Sequence, residues 1–305
     1  MKREGYLMER IADPDNLRLA FWKARKGKNY NDEVKHYRFR LDANLAELRR
    51  ELLAGDVPVG DYRYFHIYDP KERMICAAAF RERVLHHAVM IVCHPVFERF
   101  QTDDSYASRI GKGQYAALEK AKTHTRHYRW FCKLDVRKFF DSIDHETLYG
   151  LLSRRFKDPA LLGLFRRIID SYRTAPGCGL PIGNLTSQHF ANYYMAYADH
   201  HVREALRAPA YVRYMDDMVL WHDDKTELLR ITAGLTSFIG ERLRLTLKPP
   251  CINNTDKGVP FLGYVLFPGR VRLNRNSKKR FRCKMNSYDI KLDTGEWSQA
   301  RYALH

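Results

Sequence analysis

Leu41, Leu45, Leu48 and Leu52 recur at helical spacing ahead of Gly55, so residues 1–55 read as mostly helical with a basic surface. The period then changes. Residues 60–80 alternate aromatic and polar positions (Tyr62, Tyr64, His66, Tyr68), turn at Asp69-Pro70-Lys71-Glu72 and become apolar again. That pattern predicts a β-hairpin with Lys71 and Arg73 near its tip. Over 82–97, Val84, Leu85, Ala88, Val89, Val92 and Val96 make a broad apolar helical face. A basic, glycine-containing loop follows, with Arg109 and Lys112 in it. Residues 130–136 read as an apolar strand leading to a helix capped by Asp144. Asp158-Pro159 opens another helix, with Leu161, Leu164, Phe165, Ile168 and Ile169 as its buried stripe. The glycine-rich segment 176–184 opens a helix reaching about Leu206. A strand–turn–strand over 211–221, a helix near 225–242, a strand at 243–247, a turn at Pro249-Pro250 and a hairpin over 261–271 complete the body. The absence of a long linker or repeat predicts one compact α+β unit of several subdomains.

The candidate chemistry sits inside two of these strands. Asp216-Asp217 interrupts the run Tyr211-Val212-Arg213-Tyr214 … Met218-Val219-Leu220-Trp221, so the pair reads as a tight hairpin turn. Solvated turn aspartates are one reading. The other is a cation site, because two carboxylates on an apolar tip are costly unless neutralised. Asp135, at the end of Trp130-Phe131-Cys132-Lys133-Leu134, favours the second. A third carboxylate beside the pair would complete a site for two hard cations about 4 Å apart, the arrangement that clamps an in-line phosphoryl transfer.

Bulk composition narrows the partner. The 305 residues carry 53 Lys and Arg against 36 Asp and Glu, a formal charge of +17, with 45% hydrophobic and 13% aromatic content. Such an excess points to a polyanion, and basic residues mixed with aromatics favour nucleic acid over a membrane. Residues 1–10 lack the apolar core of a signal peptide, and no apolar run approaches a membrane span. Cys76, Cys93, Cys132, Cys178, Cys251 and Cys283 are scattered, so they read as free thiols in a reducing, cytoplasmic compartment. The pairs His86-His87 and His200-His201 lack a third ligand in sequence and read as core or surface residues.

Taken in order, the motifs resemble the fingers and palm of a reverse transcriptase. Leu134-Asp135 resembles motif A, residues 179–188 motif B, Tyr214-Met215-Asp216-Asp217 motif C, Lys248 after Leu245-Thr246-Leu247 motif D, and Phe261-Leu262-Gly263-Tyr264 motif E. The segments 80–84 and 105–109 resemble fingers blocks of group II intron enzymes. The resemblance spans about residues 60–270. It implies a right-hand polymerase fold: an N-terminal helical extension (1–58), fingers (59–128), a palm of antiparallel sheet backed by helices (129–272) and a short basic helical thumb (273–305). It implies two Mg²⁺ ions, for which Mn²⁺ can substitute, held by Asp135, Asp216 and Asp217 with Val136 beside them. Phe140 takes the position of a steric gate that excludes a 2′-hydroxyl; core packing is its other reading. Backbone amides of 136–140 would cradle the triphosphate, bringing Arg137, Lys138 and Phe139 to the dNTP. Lys71 and Arg73 would reach the β- and γ-phosphates. Ile182, Gly183 and Gln188 would contact the nucleotide, and Lys248 would protonate pyrophosphate as general acid. Arg109, Lys112, Tyr214, Met215, Lys278, Lys279 and Arg280 would contact template RNA and the RNA/cDNA duplex.

Motif B departs from the usual pattern. Most reverse transcriptases carry Gln before the motif B glycine and end the motif in Ser-Pro; here Ile182 precedes Gly183, and the end is Ser187-Gln188. This variant resembles the enzymes of diversity-generating retroelements, which copy a template-repeat RNA into cDNA with errors opposite adenine and work with a small basic, oligomeric accessory variability protein. An Ile lacks the polar contact a Gln supplies, and polar contacts carry more selectivity than apolar ones. Ile182 and Arg73 are therefore candidate fidelity determinants. The other readings are a retron, abortive-infection or CRISPR-associated enzyme, a catalytically silent RNA-binding protein, and a non-templated nucleotidyl transferase. No RNase H, zinc-endonuclease or maturase segment is expected in the chain as read.

Overall fold

The computed structural model describes residues 3–68 and 72–304. Helices α1 (Met8–Ile11), α2 (Pro14–Ala24), α3 (Asp32–Phe39) and α4 (Leu41–Ala54) form an N-terminal layer. Asp13 caps α2 through the amides of Asp15 and Asn16, with Pro14 at the first helical position, and Gly55 ends α4 at φ 76°. Strands β1 (Tyr62–Ile67) and β2 (Arg73–Ala78) pair antiparallel, and α5 (Phe80–Glu98) follows. The N-terminal layer packs on α5: Leu17, Ala20 and Phe21 are buried with Phe80, Val84 and Ala88 in one cluster. Asn16 Nδ2 donates to the Ala88 carbonyl at 3.2 Å.

After α6 (Gln114–His127) comes the central sheet. It is built from β3 (Trp130–Asp135), β4 (Ala210–Tyr214), β5 (Asp217–His222) and β6 (Cys251–Asn254), in the order β4-β5-β3-β6 and antiparallel throughout. Helices α7 (Phe139–Ser142), α8 (His145–Ser153), α9 (Pro159–Asp170) and α10 (Leu185–His200) lie between β3 and β4, and α11 (Lys225–Leu243) between β5 and β6. A π-helical turn, His201–Ala205, extends α10 toward the expected end. Alternation along the strands sorts the core into two faces. Cys132, Leu134, Tyr211, Met218 and Leu220 join the cluster with α5, α10 and α11. Phe131, Val212, Val219 and Trp221 join Ala117, Leu118 and Ala121 of α6 on the other side. A sheet with both faces covered explains why 211–221 reads as an almost unbroken apolar run.

The chain ends in a three-stranded meander, β7 (Val259–Phe261), β8 (Tyr264–Phe267) and β9 (Arg270–Leu273), then α12 (Arg275–Asp293) and α13 (Gln299–Ala303). Two expectations change. The strand at 243–247 is not formed: α11 runs to Leu243, Arg244 turns left-handed at φ 51°, and only Leu247 bridges, to Val136. Pro249 and Pro250 lack amide hydrogens, so pairing resumes only at Cys251. The hairpin over 261–271 gains a third strand. Among the described residues, no helix is long and apolar enough to cross a membrane.

Candidate active site

The register of the central sheet builds the site. Tyr214 pairs with Asp217, so the β4–β5 loop is only Met215 and Asp216. Asp217 thus stands on the strand, one residue later than a turn made by the Asp pair would place it. A two-residue hairpin loop demands unusual backbone, and Met215 adopts φ 58°. A side chain there costs about 1–3 kcal/mol and persists only when its surroundings impose it.

Asp135 lies directly opposite Asp217 on β3. Like charges so placed repel. Two lysines offset this. Lys133, one pleat before Asp135, brings Nζ to 3.2 Å from Asp217 Oδ1, and Lys248 Nζ lies 2.8 Å from Asp135 Oδ2. Lys248 is held there by its amide, which donates to the Asp135 carbonyl at 2.9 Å. Burial pushes the Asp217 carboxyl up to about 6, against the pull of Lys133. Burial also raises Asp216, and the charge of Asp135 adds to the rise.

Among the described residues, no group of three His, Cys, Asp or Glu closes tightly enough to hold a metal ion by itself. The donor set nevertheless fits a hard cation. Asp217 Oδ1 is buried and makes no hydrogen bond, its counter-charge being the Lys133 ammonium 3.2 Å away, and a carboxylate desolvated in this way gains from a further positive charge. The side chains and the Val136 backbone offer oxygen ligands only.

A cavity of about 780 Å³ opens over these residues. It brings together Arg73, Asp135, Val136, Lys138, Phe139, Phe140, Ile182, Gly183, Gln188, Tyr214, Met215, Asp216, Asp217 and Lys248. Arg137 is not among them; it lines a separate cavity behind Lys248. Its amide donates to the Thr246 carbonyl at 2.8 Å, so the amide cradle expected over 136–140 lacks that donor. Lys71 lies outside the described residues. The loop before α10 reaches the cavity by docking on the hairpin: the Cys76 amide donates to the Ile182 carbonyl at 2.8 Å. Gly183, at φ 119°, sits where a Cβ would come within 3.1 Å of the Cys76 carbonyl oxygen and of Ile75.

A second cavity of about 1,060 Å³ shares Arg73, Lys133, Tyr214 and Asp217 with the first and runs to Lys279 and Arg280 on α12. Lys278 is exposed on the same helix but does not line it. Arg109 and Lys112 face elsewhere. The Arg109 side chain is 8% exposed, its guanidinium paired with Glu98 at 2.7 Å and bonded to the carbonyls of Thr102 and Ser105. Lys112 Nζ donates to the Asp103 carbonyl at 2.6 Å and lies over the Tyr106 ring. Both brace the loop over 102–112.

Two functional positions escape sequence reasoning. Lys133 was legible in principle, because period-2 alternation puts it on the Asp135 face; that Asp217 stands diagonal to it depends on register. Asp141 lines the cavity beside Phe140, its carboxyl raised by burial.

Residues 69–266, close to two thirds of the chain, match the family described as reverse transcriptase (RNA-dependent DNA polymerase). The group II intron-encoded protein LtrA of Lactococcus lactis is 24% identical over 215 residues, 64% of this chain and 35% of that protein. The chain therefore spans about a third of that relative's length. Protein YkfC of Escherichia coli is 25% identical over 290 residues, 76% of this chain and 74% of the relative. Apo telomerase from Candida tropicalis superposes with a TM-score of 0.52 at 11% identity, over 72% of this chain and 50% of the telomerase chain, a likeness of fold. A sheet that carries its acidic turn between helices and a fingers hairpin is thus a right-hand polymerase fold, and the chain belongs to the reverse transcriptase (RNA-dependent DNA polymerase) family.

Proposed function

We propose that the chain is an RNA-directed DNA polymerase that extends a primer on an RNA template with dNTPs. The observation that carries this is the cross-strand pair Asp135–Asp217 with Asp216 beside it, at the floor of a cavity that continues to a basic helix. Asp135, Asp216, Asp217 and the Val136 carbonyl would hold two Mg²⁺ ions, which supply activation of the primer 3′-hydroxyl and neutralisation of the leaving pyrophosphate. Arg73 offers its guanidinium to the triphosphate from the start of β2. Phe140 walls the cavity as the candidate sugar gate. Lys248, held against Asp135, is the group in reach to give a proton to the departing phosphate. The α12 surface, with Lys278, Lys279 and Arg280, would follow the duplex backbone. Asp216→Asn should abolish incorporation and leave RNA affinity within about twofold, since the basic surface is untouched. Unchanged DNA synthesis in that variant would refute the site.

Within the family, Ile182 before Gly183 and the ending Ser187-Gln188 support a diversity-generating retroelement enzyme, copying a template-repeat RNA with errors opposite adenine. That class reading carries with it a small basic, oligomeric accessory protein as partner. Unpaired cysteines support a reducing, cytoplasmic place of work. Sequenced cDNA tests the class: errors concentrated at template adenines support it, and uniformly rare errors move the enzyme to another bacterial class.

A further inference from the structure

Beneath the acidic turn lies a buried charge cluster that no step above uses. Arg213 on β4 and Asp199 on α10 are both 0% exposed. Arg213 Nε donates to Asp199 Oδ1 at 2.7 Å and Nη2 to Asp199 Oδ2 at 2.5 Å. Nη2 also donates to Ser105 Oγ at 3.0 Å, and Nη1 donates to Asn192 Oδ1 at 2.7 Å and to the Met215 carbonyl at 2.9 Å. Each of the guanidinium donors thus has an acceptor. The Tyr211 hydroxyl donates to Asp199 Oδ1 at 2.9 Å. The same cluster binds the loop that forms another wall of the cavity. The Arg213 amide donates to the Asp104 carbonyl at 2.8 Å, the Tyr106 amide to the Arg213 carbonyl at 3.0 Å, and Asn192 Nδ2 to the carbonyl of Ala107, a cavity residue, at 2.9 Å.

The Met215 carbonyl is where this cluster meets the chemistry. Met215 carries the unfavourable φ and directly precedes Asp216. Moving its carbonyl would leave a buried guanidinium hydrogen without an acceptor, a penalty that falls on any relaxed turn. The fork geometry matters, because a lysine ammonium has three donors on one nitrogen and cannot reproduce the five donors that the guanidinium spreads over Asp199, Asn192, Ser105 and the carbonyl. We infer that Arg213 is a positioning residue, which, through its buried pair with Asp199, fixes the strained Met215 turn and thereby the directions of the Asp216 and Asp217 carboxylates.

This rests on the polymerase reading for its kinetic arm only. The test uses Arg213→Lys and the double variant Arg213→Met with Asp199→Leu, which removes both buried charges together so that neither is left buried alone. Mn²⁺ binding is followed by electron paramagnetic resonance, and single-turnover dNTP incorporation on an RNA/DNA duplex is followed in parallel. In both variants, half-saturating Mn²⁺ should rise about tenfold. The rate at saturating dNTP should fall about 100-fold, with duplex affinity and dNTP KM nearly unchanged. A double variant that melts like the parent and keeps its Mn²⁺ affinity and rate overturns the proposal. So does a loss confined to a smaller active fraction with the rate per active site unchanged. A parent that binds Mn²⁺ but incorporates nothing refutes the polymerase reading, and the Mn²⁺ titration still decides the role of Arg213.

Discussion

Asp217 is the residue whose surroundings speak most clearly. Its raised pKa means that the folded chain holds the proton more tightly than the unfolded chain does. Stability from this group is greatest in acid and falls as the pH rises from about 4 toward about 6, above which the ionised, buried carboxylate persists as a standing cost. A divalent cation should relieve that cost only where Asp217 is ionised. Mg²⁺ should therefore raise the melting temperature at pH 8 and have little effect at pH 5; Asp217→Asn should flatten the difference, and equal Mg²⁺ shifts at both pH values would contradict this. Ile182 makes a second prediction at this scale. If its apolar side chain withholds a selective contact from the nascent base pair, Ile182→Gln should lower errors opposite adenine in sequenced cDNA. An error spectrum identical to the parent's would leave Ile182 with no part in fidelity. The reach of sequence reasoning also shows here. Asp135, Asp216 and Asp217 stood out because a carboxylate in a strand-like apolar run is costly without a partner. Arg213 lies in the same run and breaks it equally, but apart from the nearby Met215 carbonyl its acceptors come from α10 and from the loop over 101–109, which no local pattern brings together.

At the scale of elements, caps and apolar stripes were readable because they are local. Asp158 accepts from the Leu161 amide as a helix cap should, and it also takes the amides of Leu7 and Met8, a long-range use invisible in sequence. The strand expected at 243–247 failed for the complementary reason: Leu245-Thr246-Leu247 alternates correctly, but a strand needs a partner edge, and only Leu247 finds one. Gly183 ties two elements together. Gly183→Ala would force a Cβ against the hairpin carbonyl at an unfavourable φ, at a cost of about 1–3 kcal/mol. The variant should melt lower and show a raised KM for dNTP with duplex affinity retained; an unchanged KM would argue against the loop as part of the nucleotide wall. The two basic segments should separate as well. Arg109→Ala, which removes the ion pair with Glu98 and the bonds to the Thr102 and Ser105 carbonyls, should lower the melting temperature with little change in RNA affinity. Replacing Lys278, Lys279 and Arg280 by Ala should leave melting alone and reduce the salt dependence of RNA binding, by roughly one unit of log–log slope for each phosphate no longer neutralised. The reverse pattern would exchange the roles given to the two segments.

For the whole molecule, +17 of formal charge and a covered central sheet describe a body whose charge suits a polyanion and which presents a few acidic oxygens in its cavity. Carboxylates are repelled by phosphate unless cations stand between them, so acidity at the floor of a basic groove is the signature of metal-assisted chemistry on a polyanion. The most direct test is single-nucleotide incorporation by the full chain on four RNA templates that differ only in the templating base, each offered all four dNTPs with and without Mg²⁺. The expected result is Mg²⁺-dependent extension whose preferred nucleotide changes with the template base, and none from Asp216→Asn. Extension that ignores the template, or a duplex bound tightly by the parent with no DNA made, would contradict templated polymerisation at this site.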